Sequence, residues 1–253
     1  LMLRVPDYRP QLEALVEQRI NTPLEIESMS GYMDGAVPVF VFENVRLPAQ
    51  EGTAPLQIGR VELSVDVLAS LASRNLRARQ LLVSGIDLRL TMEQGGKVRL
   101  TGLEALGSAS GAQRKPPLNA LLDLVYRQKR LVVEDARGEL VLPDMPPVAV
   151  RDLAVAIVSS GSTHRLALRA RHADKPVSMD VRLVVEGDPH TLADLKGDAY
   201  VHLDVAEADP WINAALPADW QINTLRGDIE AWLSLDRGAV SRAALSLDVE
   251  QVA

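Results

Sequence analysis

The sequence predicts a mainly β chain: a long antiparallel sheet curled into an open groove, with a few amphipathic helices and a cap formed by an N-terminal helix. Three observations predict it. First, apolar and polar residues alternate in three successive runs between Val177 and Val249. Val177, Met179, Val181, Leu183 and Val185 oppose Asp180, Arg182 and Glu186; Leu195, Gly197, Ala199, Val201, Leu203 and Val205 oppose Lys196, Asp198, His202 and Asp204. Leu225, Ile229, Ala231, Leu233 and Leu235 then oppose Arg226, Asp228, Glu230 and Asp236. A period of two puts each set on one side of an extended strand. Second, hydrophobic residues make up 47% of the 253-residue chain but aromatics only 4%, so the inward face is aliphatic. Third, an amphipathic helix pattern precedes the strands. A sheet with one apolar and one charged face needs something to cover the apolar side. A second sheet, helices or an apolar ligand would each do so.

In chain order, Asp7 is a plausible N-cap, and Leu12, Leu15, Val16 and Ile20 form a helical stripe that Thr22-Pro23 ends. Leu24, Ile26 and Ser28 begin a strand, and a turn is expected over 31–35. Val37, Val39, Val41, Val45 and Leu47 line one side of the next strand, with Phe40, Phe42, Asn44 and Arg46 on the other. After a Gly/Pro-rich loop, Leu56 and Ile58 sit at even positions but Val61, Leu63, Val65 and Val67 at odd ones. That phase change predicts a β-bulge at Gly59-Arg60. A short helical or turn connection over 68–73 leads to a strand from Leu81 to Met92, and Gly95-Gly96 predicts a hairpin into Val98 and Leu100. Residues 107–117, GSASGAQRKPP, read as a linker separating 1–106 from 118–253. A helix with Leu118, Leu121, Leu122 and Val125 follows, its basic end (Arg127, Lys129, Arg130) suiting the helix dipole. From Leu131 onward the pattern is β again: Leu140 and Leu142 precede a Pro-rich turn over 143–147, and Val148, Val150, Leu153, Val155 and Ile157 follow. Next come Leu166, Leu168 and Ala170 opposite Arg165, Arg169 and Arg171, an arginine stripe that reads as a solvated face.

Composition and motifs narrow the function. A net charge of −7 argues against nucleic acid as a partner. With no cysteine, disulfides and thiolate metal sites are excluded. His164, His172, His190 and His202 form no HExxH or HxH pair, and GxSxG, GxGxxG and EF-hand patterns are missing. Gly95-Gly96-Lys97 fails as a phosphate loop because Val98 follows the lysine and Thr91 stands where the first glycine belongs. No catalytic residue, cofactor site or metal site is expected, and the chain does not read as an enzyme. No apolar run reaches the ~18 residues that span a bilayer. The chain opens on Leu1-Met2-Leu3 and closes at Val252-Ala253 just past a strand pattern, so a fragment truncated at both ends is expected.

Several segments carry a family resemblance: Tyr8-Arg9-Pro10-Gln11-Leu12-Glu13 running into Thr22-Pro23-Leu24-Glu25-Ile26, Val67-Leu68-Ala69-Ser70-Leu71, and Leu82-Val83-Ser84-Gly85-Ile86-Asp87-Leu88-Arg89-Leu90. Ser162-Thr163-His164-Arg165-Leu166 and Trp232-Leu233-Ser234-Leu235-Asp236-Arg237-Gly238 add to it. In order and spacing they resemble the N-terminal periplasmic portion of a large member of the AsmA-like family of Gram-negative bacteria, similar to bridge-like lipid transfer proteins with a chorein-type N-terminus. The resemblance implies a periplasmic β-groove, anchored in the inner membrane by an N-terminal helix that is missing here. It also implies phospholipid as cargo, moved towards the outer membrane, with envelope proteins as further possible partners. The residues expected on the groove face are Val39, Val41, Leu63, Val65, Leu88, Leu90, Leu166, Leu168, Val181, Leu183, Val201, Leu203, Ile229 and Leu233. About ten strands at ~4.8 Å would make a groove on the order of 50 Å long. The alternative reading is a periplasmic β-rich scaffold, closed by its own helices and binding proteins rather than lipid.

Overall fold

The structure, a computed structural model, describes residues 25–48, 55–73, 77–92, 98–101, 129–141, 147–188, 194–205 and 225–252. The helices expected over 7–20 and after Leu118, and the linker at 107–117, lie outside these residues. Twelve strands are described: β1 (Glu25–Asp34), β2 (Val37–Leu47), β3 (Leu56–Val65), β4 (Ala78–Met92), β5 (Val98–Thr101) and β6 (Arg130–Val141), then β7 (Val148–Ser160), β8 (Thr163–His172), β9 (Val177–Glu186), β10 (Lys196–Val205), β11 (Leu225–Asp236) and β12 (Ala239–Val252). One helix, α1 (Val67–Ser73), joins β3 to β4. The strands follow chain order in one open sheet that ends on β1 and β12, with β5 paired to β4 off this path as the glycine pair predicts. The β1–β2, β2–β3 and β3–β4 pairs and the five pairs from β7 to β12 are antiparallel. The mainly β, open-sheet fold class is therefore correct.

The chain divides into two compact units, one of residues 1–89 with 99–136 and one of residues 90–98 with 137–253. In the first, the turn expected over 31–35 is shorter. β1 runs on to Asp34, with Gly31 opposite Phe40 and Tyr32 opposite Val39, and only Gly35 and Ala36 reverse the chain. The β-bulge expected at Gly59-Arg60 is also corrected. Pairing passes through Gly59 without an inserted residue, from Glu43↔Arg60 to Val45↔Ile58 on one side and from Ile58↔Ile86 to Arg60↔Ser84 on the other. The backbone irregularity lies in the neighbouring strands instead. Asn44 opposite Gly59 has φ 51°, and Gly85 on the far side has φ 67°. A left-handed residue interrupts the half-turn per residue that makes side chains alternate, and Asn, Asp and Gly are the types that adopt it at least cost. In β2 the buried residues keep their phase across Asn44, from Val39 and Val41 to Val45 and Leu47, whereas in β4 the apolar positions pass from Leu81 and Val83 to Ile86 and Leu88 across Gly85. In β6, Asp135 has φ 52°.

In the second unit a left-handed residue does coincide with a register slip. Asp152 of β7 has φ 51°, and the β7–β8 register slips between Arg151 and Ala154. Val150 pairs with His172 and Val155 with Leu168. Because β8 is uninterrupted, those two partners share a face, so Val150 and Val155 share it too despite their odd spacing. From β8 onward registers run cleanly to β11. The β11–β12 ladder shifts at Arg226/Gly227 and Ser234/Leu235.

Candidate lipid-binding face

In the second unit, cross-strand pairing gathers the aliphatic residues of six strands into continuous rows. One row runs Ile157, Leu166, Leu183, Ala199, Leu233, Ala243; the next runs Val155, Leu168, Val181, Val201, Ala231, Leu245. A third joins Ala170, Met179, Leu203, Ile229 and Leu247. Opposed residues on antiparallel strands stand ~4.5–5.5 Å apart, so each row is a nearly unbroken band of methyl and methylene groups. Leu166, Leu168, Val181, Leu183, Val201, Leu203, Ile229 and Leu233 are thus brought onto one face.

Burial along the strands of this face is uneven. In β8, β9 and β10 the terminal residues are buried: His164 and Ala170, Val177 and Val185, and Val205. The residues between them, including Leu166, Leu168, Val181, Leu183, Val201 and Leu203, are only half-buried. The face is closed towards the strand ends and open along its middle. Beyond it, Leu245 and Leu247 of β12 are 64% and 57% exposed, large values for side chains continuing an apolar row. His164 is the buried polar residue of this face; its Nδ1 lies 3.0 Å from the Ser159 hydroxyl.

The opposite face is a lattice of polar contacts. Arg169 and Arg182 both reach Asp180, at 3.5 and 3.1 Å. The Tyr200 hydroxyl donates to Glu230 at 2.6 Å, and that hydrogen bond, with burial second, holds the phenol above its ordinary range. The Ser234 hydroxyl donates to Asp198 at 2.9 Å, and His202 Nε2 stands 2.8 Å from Asp228. Such exposed pairs each add little stability, but together they mark this side as the hydrated one. The arginines of β8 read as a solvated stripe do lie here. Among the described residues no group of His, Asp and Glu is arranged to hold a metal ion, and no described helix is long and apolar enough to cross a membrane.

In the first unit the expected face residues do not all come together. Val39 pairs with Ser64 and Val41 with Glu62, whereas Leu63 pairs with Phe40. Val39 and Val41 therefore stand on the side opposite Leu63 and Val65, among Ser30, Tyr32, Glu62 and Ser64. Both are buried there, each 3% exposed. The residues beside Leu63 and Val61 are Phe40 and Phe42, both half-buried. Odd-numbered valines made the longer run in the sequence, but cross-strand register, which the sequence does not print, decides the face. Leu88 continues from Ile86, which pairs with Ile58 and through it joins Val45 and Ile26 in a buried cluster; Leu90, next in phase along β4, belongs to the second unit. Sequence reasoning also passed over Val155, Ile157, Leu245 and Leu247 as face residues. Their alternation was visible, but not which neighbours they would meet.

Comparison with known proteins adds what geometry alone does not. Residues 2–253 match the YhdP protein family. The chain belongs to the YhdP family. It is 22% identical over 247 residues to a protein of Escherichia coli (strain K12) named intermembrane phospholipid transporter YhdP. The match covers 92% of this chain but 18% of the length of that relative. No solved structure matches the chain. The AsmA-like resemblance read from the strand segments and membership in the YhdP family agree.

Proposed function

We propose that the open aliphatic face holds the acyl chains of phospholipids, and that this segment is one stretch of a longer groove carrying phospholipid from the inner towards the outer membrane of a Gram-negative envelope. The observation that carries the proposal is the half-open middle of the β8–β10 rows. Aliphatic side chains that would be fully covered in a closed sandwich are left accessible there, while their strand ends are buried. The transporter name borne by the E. coli relative supports the choice of phospholipid.

The mechanism needs no bond to form or break. Acyl chains lie on leucine, valine, isoleucine and alanine side chains while head groups remain hydrated. Each methylene kept from water contributes ~0.8 kcal/mol. With few polar hooks on the rows, successive positions are similar in energy, so a chain slides without a deep trap. On this reading the segment is periplasmic, the parent protein is held in the inner membrane by an N-terminal anchor, and the role is non-enzymatic.

Native mass spectrometry of the chain purified from cells tests the proposal. Phospholipid retained at defined stoichiometry, and identified after extraction, is the expected result. A lipid-free mass that takes up no added phospholipid would refute lipid carriage by this segment and leave the protein-binding scaffold as the better reading.

A further inference from the structure

The first unit carries an apolar surface of its own. Among the described residues its exposed large hydrophobic side chains are Tyr32, Met33, Val67, Leu68 and Leu71. All five fall at one set of strand ends. Met33 sits one residue before the end of β1, opposite Pro38, and Tyr32 stands beside Val39, whose other neighbour Ser64 immediately precedes the end of β3. α1 starts two residues after Val65. Leu68 and Leu71 are 81% and 72% exposed, and their spacing of three puts them on one side of the helix. Two leucines presented so fully to water on a rigid element do nothing for the core they leave.

The element is held firmly. Asp66 Oδ1 accepts from the Ala69 amide at 3.0 Å, and the Ser70 amide donates to the Asp66 carbonyl at 2.8 Å. The Asp66 amide donates to the Arg77 carbonyl at 2.8 Å, and the Ser70 hydroxyl accepts from the Arg77 amide at 2.9 Å, closing the connection back onto β4. Lys129 reaches Asp66 at 3.0 Å and brings the start of β6 to the same end. The local charge is opposite to that of the whole chain. Arg77, Arg79, Lys129 and Arg130 are exposed around α1, while among the described residues the acidic groups at this end are Asp34, Glu62, which pairs with Arg60 and accepts from the Tyr32 hydroxyl, and Asp66, already engaged by Lys129. A basic rim thus sits on a chain of net charge −7.

We infer that this rim is a peripheral membrane-contact site: Leu68 and Leu71 of α1 insert at the interface of an anionic phospholipid bilayer while Arg77, Arg79 and Arg130 face its head groups. Protruding aliphatic side chains ringed by cations are what such an interface rewards. An acidic protein partner would satisfy the cations, but gives no reason for leucines projecting from the tip of a short, well-braced helix. The site does not depend on the lipid-carrying face, and contact here holds whether or not that face is loaded.

The test is co-sedimentation of the full 253-residue chain with vesicles of phosphatidylethanolamine containing phosphatidylglycerol, compared with phosphatidylcholine alone. Binding is expected on the anionic vesicles, weakening as salt rises. Leu68→Ser with Leu71→Ser should lower the partition coefficient at least about tenfold, with the circular dichroism spectrum and any co-purified phospholipid unchanged. Arg77→Glu with Arg130→Glu is the second variant and should lower it by roughly tenfold or more without touching an apolar residue. Loss of vesicle binding with retained co-purified lipid supports the rim. Wild-type-like binding by both folded variants, or no binding of the wild-type chain to anionic vesicles at low salt, overturns it. A lipid-free chain that still binds vesicles through α1 would sink the carriage proposal and leave the rim standing.

Discussion

Replacing Leu183 by aspartate places a carboxylate in the middle of the open face, between Leu166 on β8 and Ala199 on β10. The native side chain is half-buried, so its loss leaves no closed cavity, and the new carboxylate reaches water whenever the face is empty. The cost to folding should therefore be modest, about 1 kcal/mol. The cost to a bound acyl chain is larger. Fully burying a leucine is worth ~1.5–3 kcal/mol, and covering the exposed half of Leu183 about 1 kcal/mol of that. A chain lying over the variant also strips water from a charged group, adding at least another ~1 kcal/mol. Together, ~2 kcal/mol is about a 30-fold loss in affinity at this point of the face. The assay is bound-phospholipid stoichiometry by native mass spectrometry, alongside displacement of a fluorescent fatty acid and a thermal melt. Reduced lipid with a preserved melt is expected. A variant that folds and retains wild-type phospholipid would refute the reasoning, because no acyl chain could then be crossing the centre of these rows.

Gly197→Ala should be far more damaging to the fold, since an added Cβ would collide with the Val184 carbonyl oxygen and lie 2.8 Å from Val185 Cα, neither able to rotate away. A loss of roughly 3 kcal/mol, or a fall of about 6–12 °C in melting temperature, is expected by calorimetry; a melt within a degree of wild type would contradict the close β9–β10 approach. Asn44→Val puts a β-branched residue at φ 51° and should destabilise by about 1–2 kcal/mol in urea denaturation, whereas Asn44→Gly should be neutral or stabilising. The Asp66 carboxyl is held below its ordinary value of 3.8, first by the hydrogen bond from Ala69 and then by Lys129. Its support of α1 is therefore complete above that value and lost as pH falls below it through the lowered one. Hydrogen exchange over 67–73 should accelerate in that acid window, and Asp66→Asn should shift its onset; a flat exchange rate across it would remove Asp66 as the brace.

The sequence by itself determined the elements and their chemistry. Period-two alternation in β9, β10 and β11 is a local property, imposed by the pleat on each strand separately, and so it could be read residue by residue. The aliphatic make-up of one side, the charged make-up of the other and the β4–β5 hairpin were legible for the same reason. Tertiary structure alone decided which strand faces join. The left-handed residue at Asp152 resets the alternation in β7, and only pairing with an uninterrupted β8 shows that Val150 and Val155 share a side. The valines at 39 and 41 made a convincing stripe in one dimension. Their partners Ser64 and Glu62 place them away from Leu63, because a register set between strands outweighs a pattern within one. The half-open middle of the β8–β10 face and the exposed leucines of α1 were likewise beyond the sequence. Exposure depends on what packs against a residue, and a leucine reads the same in a core, on a lipid-bearing face or at a membrane-facing tip.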